Sequence, residues 1–183
     1  MIESDLVLRA RDFAERKHKG QVRKDGTPYF SHLVRVADIV FEFKKCKRID
    51  EIVAAAYLHD CLEDTDTGIS ELRENFGEVV ALLVVELTTD KLRSRLDGKA
   101  NYLSKKFSSE RAISNWALVI KLADRLDNVS DLAERDEEFA ERMKRQTLVL
   151  LDALERNREL TSTHKKLIGA IRGRLDRVDV VKN

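Results

Sequence analysis

Apolar residues recur at intervals of three and four along most of this chain, which is the spacing of a helix that buries one face. The interval is clear at Leu6, Ala10, Phe13 and Ala14. The same pattern predicts a helix from His32 onward and further helices over residues 50–61, 70–75, 78–87, 92–106, 110–134, 137–156 and 162–179. The run ALLVVELTT has the β-branched content of a strand, but the sequence offers no second strand to pair with it, so we predict a buried helix there.

The segment HKGQVRKDGTPYF separates the first two predicted helices. Asp25 and Gly26 form a turn dipeptide, and Pro28 lacks the N–H group that a helix interior needs. We expect Ser31 to cap the helix that begins with His32. One proline and seven glycines leave few forced turns in the chain, so the pattern predicts an all-α fold.

The charge balance and the apolar content of the chain argue against nucleic acid and membranes as partners. The chain has 183 residues, of which 43% are hydrophobic, and 34 basic residues balance 33 acidic ones to a net charge of +1. Such a balance provides no overall field that would attract nucleic acid or an anionic membrane. The apolar runs are too short to span a bilayer, and the N-terminus lacks the order of a signal peptide. We therefore expect a cytoplasmic protein with no nucleic-acid or membrane partner, in which Cys46 and Cys61 are free thiols.

The segment YLHDCLEDTD concentrates charge after an apolar run. On a continuous helix His59 would lie beside Glu63, and Asp60 beside Asp64. Grouped carboxylates repel each other and lose hydration unless they share a cation or a proton. A divalent metal would relieve that repulsion, whereas the alternative interpretation is a solvated acidic helix end.

Two residues elsewhere favour the metal interpretation. His32 opens an apolar helix, and Asp124 lies in the apolar context VIKLADRLDN, where an unpaired carboxylate is costly. Alternatively, Asp124 pairs with Lys121 or Arg125. Taken with the His-Asp doublet, the set of imidazoles and carboxylates suits Mn²⁺, Fe²⁺ or Zn²⁺ better than Ca²⁺. The remaining histidine of the N-terminal half, His18, is expected to face solvent.

The order H…HD…D is the pattern of the HD superfamily of metal-dependent phosphohydrolases. The stretches RKDGTPYFSH, LHDCLEDTD, FGEVVALLVVELT and KLADRLDNVSDL resemble the hydrolase domain of RelA/SpoT-type alarmone enzymes and of the small alarmone hydrolases. The resemblance covers residues 5–155 and implies one helical-bundle domain over 1–183, with a C-terminal helical extension at 156–183. It also implies one Mn²⁺, with Fe²⁺ or Zn²⁺ as alternatives, and removal of the 3′-pyrophosphate from ppGpp or pppGpp to yield GDP or GTP.

The resemblance assigns roles to individual residues. It implies four metal ligands, which are His32, His59, Asp60 and Asp124. It implies a catalytic pair, Glu63 and Asp64. A divalent cation acidifies water, and a neighbouring carboxylate can then accept a proton from the water that attacks phosphorus.

Substrate recognition requires local cations because a pyrophosphorylated nucleotide carries several negative charges. The resemblance implies contacts to the nucleotide from Arg23, Lys24 and Asn128. Further candidates for the distal phosphates are Arg95 and Lys99, which are one helical turn apart on the predicted helix, and the cluster Arg142, Lys144 and Arg145. The alternative for these basic residues is a solvated loop and exposed helix faces.

The chain departs from the family pattern at two positions. Leu33 replaces a proline that usually follows the first ligand histidine. Thr147 or Leu148 occupies the place of a tyrosine that lies near the base in the metazoan homologue. The base preference therefore stays open: the alternatives are hydrolysis of the adenosine alarmones (p)ppApp, NADPH phosphatase activity, and a non-catalytic module that binds alarmone. The amphipathic helices leave the oligomeric state open, a homodimer included.

Overall fold

The computed structural model describes residues 4–181, with the side chains of 133 and 178–181 excluded. Within these residues the secondary structure is helical, apart from one isolated β-bridge between Val22 and Pro28. The predicted all-α class is therefore confirmed. The residues form two compact units, Met1–Thr88 and Thr89–Asn183, and the expectation of a single domain stays a prediction. No helix in the described range combines the length and the apolar composition needed to cross a bilayer.

The first unit is built around one buried helix. Its helices are α1 (Asp5–Lys17), α2 (Tyr29–Phe43), α3 (Ile49–Leu58), α4 (Cys61–Asp64), α5 (Ile69–Phe76) and α6 (Glu78–Leu87). Helices α1, α2 and α6 all pack against α3. Every residue of α3 from 52 to 58 is buried, and the three consecutive alanines in this stretch allow its neighbours to approach closely.

The second unit pairs its long helices. It contains α7 (Lys91–Asp97), α8 (Lys99–Ser108), α9 (Asn115–Ser130), a 3-10 helix (Leu132–Glu134), α10 (Glu137–Asn157) and α11 (Ser162–Val181). Helix α10 packs on α8, and α11 packs on α9. Most of α9 is buried, including the sequence LADRLD, so this helix forms the core of its unit.

The start of α2 differs from the sequence prediction. The helix begins at Tyr29, three residues before His32, and Pro28 occupies the N-cap position. Ser31 is not the cap: its hydroxyl lies inside the first turn and donates to the Pro28 carbonyl over 2.7 Å. A proline is tolerated here because the first N–H groups of a helix have no partner within the helix.

Two long predicted helices are shorter than expected. The segment 92–106 is split at Gly98, whose φ of +77° lies in the left-handed region that favours glycine. The helix predicted over 110–134 begins only at Asn115, where the Ser114 hydroxyl accepts from the Ala117 N–H over 3.1 Å, and it ends at Ser130. The run ALLVVELTT is largely helical, as α6.

Candidate active site

Two buried histidines meet where α2 packs on α3. His32 and His59 are 3% and 4% exposed, and their rings lie 5.4 Å apart in an edge-to-face arrangement. One ring nitrogen of His32 lies within 4.8 Å of one ring nitrogen of His59. His32 lies on the buried face of α2 and His59 directly follows the buried helix α3, so packing of α2 on α3 places the two imidazoles together.

Asp60 joins this pair because the chain turns between α3 and α4. Helix α3 ends at Leu58, and α4 begins at Cys61, so the helix predicted over 50–61 ends three residues earlier than expected. On a continuous helix, consecutive side chains diverge by about 100°. Here Oδ2 of Asp60 lies 3.0 Å from Nε2 of His59 and 4.0 Å from Nε2 of His32.

The hydrogen bonding of His59 defines which nitrogen faces the carboxylate. Its Nδ1 lies 2.8 Å from the Ala56 carbonyl oxygen, which can only accept, so Nδ1 carries a proton. In the neutral ring Nε2 then presents a lone pair toward the carboxylate oxygen of Asp60. Two acceptors at this distance repel each other unless a cation or a proton lies between them. Two imidazole nitrogens and a carboxylate oxygen are ligands that fit a divalent first-row metal.

Tyr29 contacts this group and was not among the residues predicted from the sequence. Its hydroxyl donates to Oδ2 of Asp60 over 2.5 Å, and its ring meets that of His32 edge-on at 5.5 Å. The sequence could have identified Tyr29 by its position three residues before His32, because that spacing places both side chains on one face of a helix. The prediction missed it because α2 was expected to begin only at His32.

The sequence prediction misplaced His18. It is 2% exposed, whereas solvent exposure was expected. Its ring stacks on Tyr29 at 5.2 Å, with 20° between the ring planes. Its Nδ1 lies 2.8 Å from Oε1 of Gln21, and its Nε2 lies 3.7 Å from Sγ of Cys61. His18 therefore forms the base on which the Tyr29 ring rests.

Both carboxylates of the predicted catalytic pair lie on the short helix α4. Glu63 is half-buried and Asp64 is exposed. The backbone N–H of Asp64 donates to the Asp60 carbonyl over 2.9 Å, and the Gln21 side chain donates to the Asp64 carbonyl over 2.9 Å. These bonds fix α4 directly after Asp60, and the Asp64 residue is exposed to solvent.

Cys61 contributes packing at this site. The residue is fully buried, and burial, reinforced by the charge of Asp60, raises the pKa of its thiol to about 12. Cys46 and Cys61 are both free cysteines. A protonated thiol is a poor metal ligand, so the imidazoles and the carboxylate are the better donors.

The loop that carries Arg23 and Lys24 is a tight turn directly before α2. The Arg23 N–H donates to the Thr27 carbonyl over 2.8 Å, and the Gly26 N–H donates to the Arg23 carbonyl over 2.9 Å. Arg23 is half-buried and Lys24 is exposed. The loop belongs to the same unit as the two histidines.

Asp124 lies within the second unit, on α9, and is 6% exposed. Its carboxylate accepts from Lys121 Nζ over 2.7 Å and from Asn128 Nδ2 over 2.5 Å. Of the two pairings considered from the sequence, the structure thus shows the one with Lys121. Arg125 is buried, which lowers the pKa of its guanidinium, and it donates to the sulfur of Met143 over 2.7 Å.

The comparison with known families agrees with this arrangement. The HD domain family matches residues 10–160, which is most of the chain. The chain belongs to the HD-domain family.

Related HD proteins include enzymes of defined activity. The human guanosine-3′,5′-bis(diphosphate) 3′-pyrophosphohydrolase MESH1 is 42% identical over 132 residues, which cover 71% of each chain. An Aquifex aeolicus (strain VF5) protein named guanosine-3′,5′-bis(diphosphate) 3′-pyrophosphohydrolase is 37% identical over 146 residues. That match covers 79% of this chain and 20% of the Aquifex protein.

A solved structure extends the similarity to the fold. It is described as a metazoan ortholog of SpoT that hydrolyzes ppGpp. It is 27% identical to this HD protein, with a TM-score of 0.73 over 95% of this chain and 98% of that chain.

The candidates for distal phosphates are dispersed on the second unit of the HD protein. Arg95 lies in α7 and Lys99 in α8, on opposite sides of the Gly98 break, so the expectation that they share one helical turn was wrong. Both are exposed, as is Arg145 on α10. Lys144 is half-buried on the same helix, and Arg142 pairs with Glu138 over 3.3 Å.

Thr147 and Leu148 are the two candidates for the position of the tyrosine that lies near the base in the metazoan homologue. Thr147 is fully buried, and its hydroxyl donates to the Met143 carbonyl over 2.7 Å. Leu148 is half-buried beside it. Of the two residues, Leu148 is therefore the better placed to meet a ligand in this HD protein.

Proposed function

We propose that this HD protein is a metal-dependent hydrolase that removes the 3′-pyrophosphate of ppGpp and pppGpp, yielding GDP or GTP and pyrophosphate. The similarity to enzymes named for that reaction supports the substrate class. One structural observation carries the proposal: the Nε2 atoms of His32 and His59 lie 4.0 and 3.0 Å from the same carboxylate oxygen of Asp60. That donor arrangement suits a divalent cation.

The proposed ligands are His32, His59, Asp60 and Asp124, and the proposed ion is Mn²⁺, with Fe²⁺ and Zn²⁺ as alternatives. When bound, the cation would supply a Lewis acid that acidifies water and offsets charge on phosphate oxygens. The His59 Nδ1–H bond to the Ala56 carbonyl holds that imidazole with Nε2 toward Asp60, where the two residues would hold the cation.

Asp124 is included among the proposed ligands because it lies in the family-like stretch KLADRLDNVSDL and because its side chain is buried. The substitution Asp124→Ala is expected to weaken Mn²⁺ binding, measured by calorimetry on metal-stripped protein. Asp127→Asn, which changes another buried carboxylate of α9, serves as the matched control. Wild-type affinity in Asp124→Ala would remove this residue from the ligand set.

Glu63 and Asp64 are proposed as the catalytic pair. Their helix begins at Cys61, immediately after the ligand Asp60. Glu63 is the proposed acceptor for the proton of the attacking water, because a carboxylate on the helix that directly follows the ligand Asp60 can act as a general base. Asp64, which is exposed, is proposed to orient that water.

Recognition of the nucleotide is proposed for Arg23, Lys24 and Asn128. Arg23 and Lys24 supply cations on a hydrogen-bonded turn that leads directly into the helix of His32. Asn128 is held by its bond to Asp124. Arg95, Lys99 and Arg145 are proposed for the distal phosphates because their side chains are exposed and cationic.

The decisive experiment is product analysis with competing substrates. Purified protein with Mn²⁺ is incubated in parallel with ppGpp, ppApp and NADPH, each with an EDTA control, and products are separated by ion-exchange chromatography. We expect GDP and pyrophosphate from ppGpp, and no products with EDTA. Cleavage of ppApp alone would contradict the guanosine preference. Calorimetric binding of ppGpp without cleavage would instead indicate a non-catalytic alarmone-binding module.

A further inference from the structure

The hydroxyl of Tyr29 makes a short contact to the carboxylate of Asp60. The 2.5 Å separation from Oδ2 is typical of a hydrogen bond from a hydroxyl to an ionised carboxylate. A phenolic hydroxyl has a single hydrogen, and here that hydrogen is directed at the oxygen that also faces the Nε2 atoms of His32 and His59. The hydroxyl therefore constrains how the carboxylate can rotate.

The Tyr29 ring is itself held from two sides. His18 stacks on it at 5.2 Å, and His32 meets it edge-on at 5.5 Å. His18 in turn contacts Gln21, and the Gln21 amide donates to the carbonyl of Asp64. The ring thus rests between the end of α1 and the first ligand histidine, which leaves little freedom to turn the hydroxyl away from Asp60.

We propose that Tyr29 is a positioning residue that orients the Asp60 carboxylate for the metal. The inference rests on the proposed role of Asp60 as a ligand. A carboxylate attached to a turn between two helices has rotational freedom that a buried imidazole lacks, and binding a cation would have to remove it. The Tyr29 hydroxyl restricts the rotation of the Asp60 carboxylate before any cation binds. It occupies one lone pair of Oδ2 and leaves the remaining lone pairs for the cation.

The test is the substitution Tyr29→Phe, which removes only the hydroxyl and keeps the ring between His18 and His32. Metal-stripped protein is titrated with Mn²⁺ by calorimetry. We expect affinity to fall by roughly 10- to 100-fold, the usual effect of losing a group that orients a metal ligand. With ppGpp we expect kcat at limiting Mn²⁺ to fall while KM stays near its wild-type value.

The matched control is Tyr102→Phe. The Tyr102 hydroxyl accepts a hydrogen bond from the Asp90 backbone N–H over 2.9 Å, so this variant also loses one tyrosine hydroxyl, but from a structural contact. We expect wild-type Mn²⁺ affinity in Tyr102→Phe. An equal loss of affinity in both variants would show a general effect of destabilisation and overturn the proposal.

A double-mutant cycle separates orientation of Asp60 from other roles of the tyrosine. In an Asp60→Ala background, Tyr29→Phe should cause no further loss of Mn²⁺ affinity, because its target is gone. Additive losses, or wild-type affinity in the single variant, would overturn the proposal. If the wild-type protein binds Mn²⁺ but cleaves no alarmone, the proposed reaction fails while the calorimetric test of Tyr29 still stands.

Discussion

Nε2 of His59 lies 3.0 Å from Oδ2 of Asp60, the next residue in the chain. Consecutive side chains of a regular helix diverge by about 100°, and this pair lies at the junction where α3 ends at Leu58 and α4 begins at Cys61. The His59–Asp60 doublet thus places an imidazole nitrogen and a carboxylate oxygen close enough to be ligands of one metal ion. The next helix then starts at once and carries Glu63 and Asp64.

His59 provides the most direct test of the metal centre. In His59→Ala we expect Mn²⁺ affinity to fall by at least ~100-fold, since a ligand itself is lost rather than a residue that supports one. Activity should fall with it. Metal content after dialysis, measured by elemental analysis, checks the first expectation.

The control for this variant is His164→Ala. His164 is buried like His59, but its Nε2 lies 3.0 Å from the Asn115 carbonyl, in the second unit. We expect this variant to lose stability and keep its metal. Undiminished metal content in His59→Ala would contradict the proposed ligand set.

Glu63→Gln separates catalysis from metal binding. The change keeps the shape of the side chain but removes its ability to take up a proton. We expect Mn²⁺ affinity near wild type and a loss of turnover of about 10²-fold or more, the range for a general base.

Turnover of ppGpp by metal-saturated protein is the measurement, with Glu74→Gln on the exposed face of α5 as control. Wild-type turnover in metal-loaded Glu63→Gln would rule out the role given to Glu63.

Lys17 and Asp66 form an ion pair whose contribution depends on pH. The Lys17 ammonium donates to Asp66 Oδ1 over 3.0 Å, and this hydrogen bond holds the pKa of Asp66 below its ordinary value. A carboxyl whose pKa is lower in the folded state stabilises the fold above its unfolded pKa of about 3.9. That stabilisation is lost as pH falls through the lower, folded value.

Asp66→Asn should therefore lower the Tm at pH 7 and have little effect once the pH is below the folded pKa. Thermal unfolding followed by circular dichroism across this range checks the sign. The exposed Asp12→Asn variant of α1 serves as the control. A Tm difference between wild type and Asp66→Asn that persists unchanged in acid would contradict the assignment.

Arg158 ties the end of α10 to the segment that joins α8 and α9. It is buried, and it donates to the carbonyls of Phe107 and Ile113 over 3.0 and 2.8 Å and to Oδ1 of Asn115 over 3.0 Å. Arg158→Met would leave these acceptors without their donor in a buried site. We expect the free energy of unfolding to fall by ~3 kcal/mol.

Urea unfolding measures the effect of Arg158→Met, with Arg156→Met, an exposed position on the same helix, as the control. Equal stability of the two variants would show that the buried bonds of Arg158 contribute little.

Several features of the fold were predictable from local pattern. The apolar period of 3.6 identified the helical class, and it placed ALLVVELTT in a helix against its β-branched composition. Breaks within helical patterns were harder to predict. Gly98 divides a segment that reads as one helix, because a single glycine is compatible with both a helix and a left-handed turn.

What the sequence determined by itself was the set of candidate groups: histidines and carboxylates in the order of the HD family, placed in apolar helices by a periodicity that requires no tertiary information. The tertiary structure decided how those groups face one another. The burial of His18 and the hydrogen bond from Tyr29 to Asp60 arise from packing between helices distant in sequence. A one-dimensional pattern records which side of a helix is apolar, but the direction of each hydroxyl, imidazole and carboxylate depends on neighbours that only folding provides.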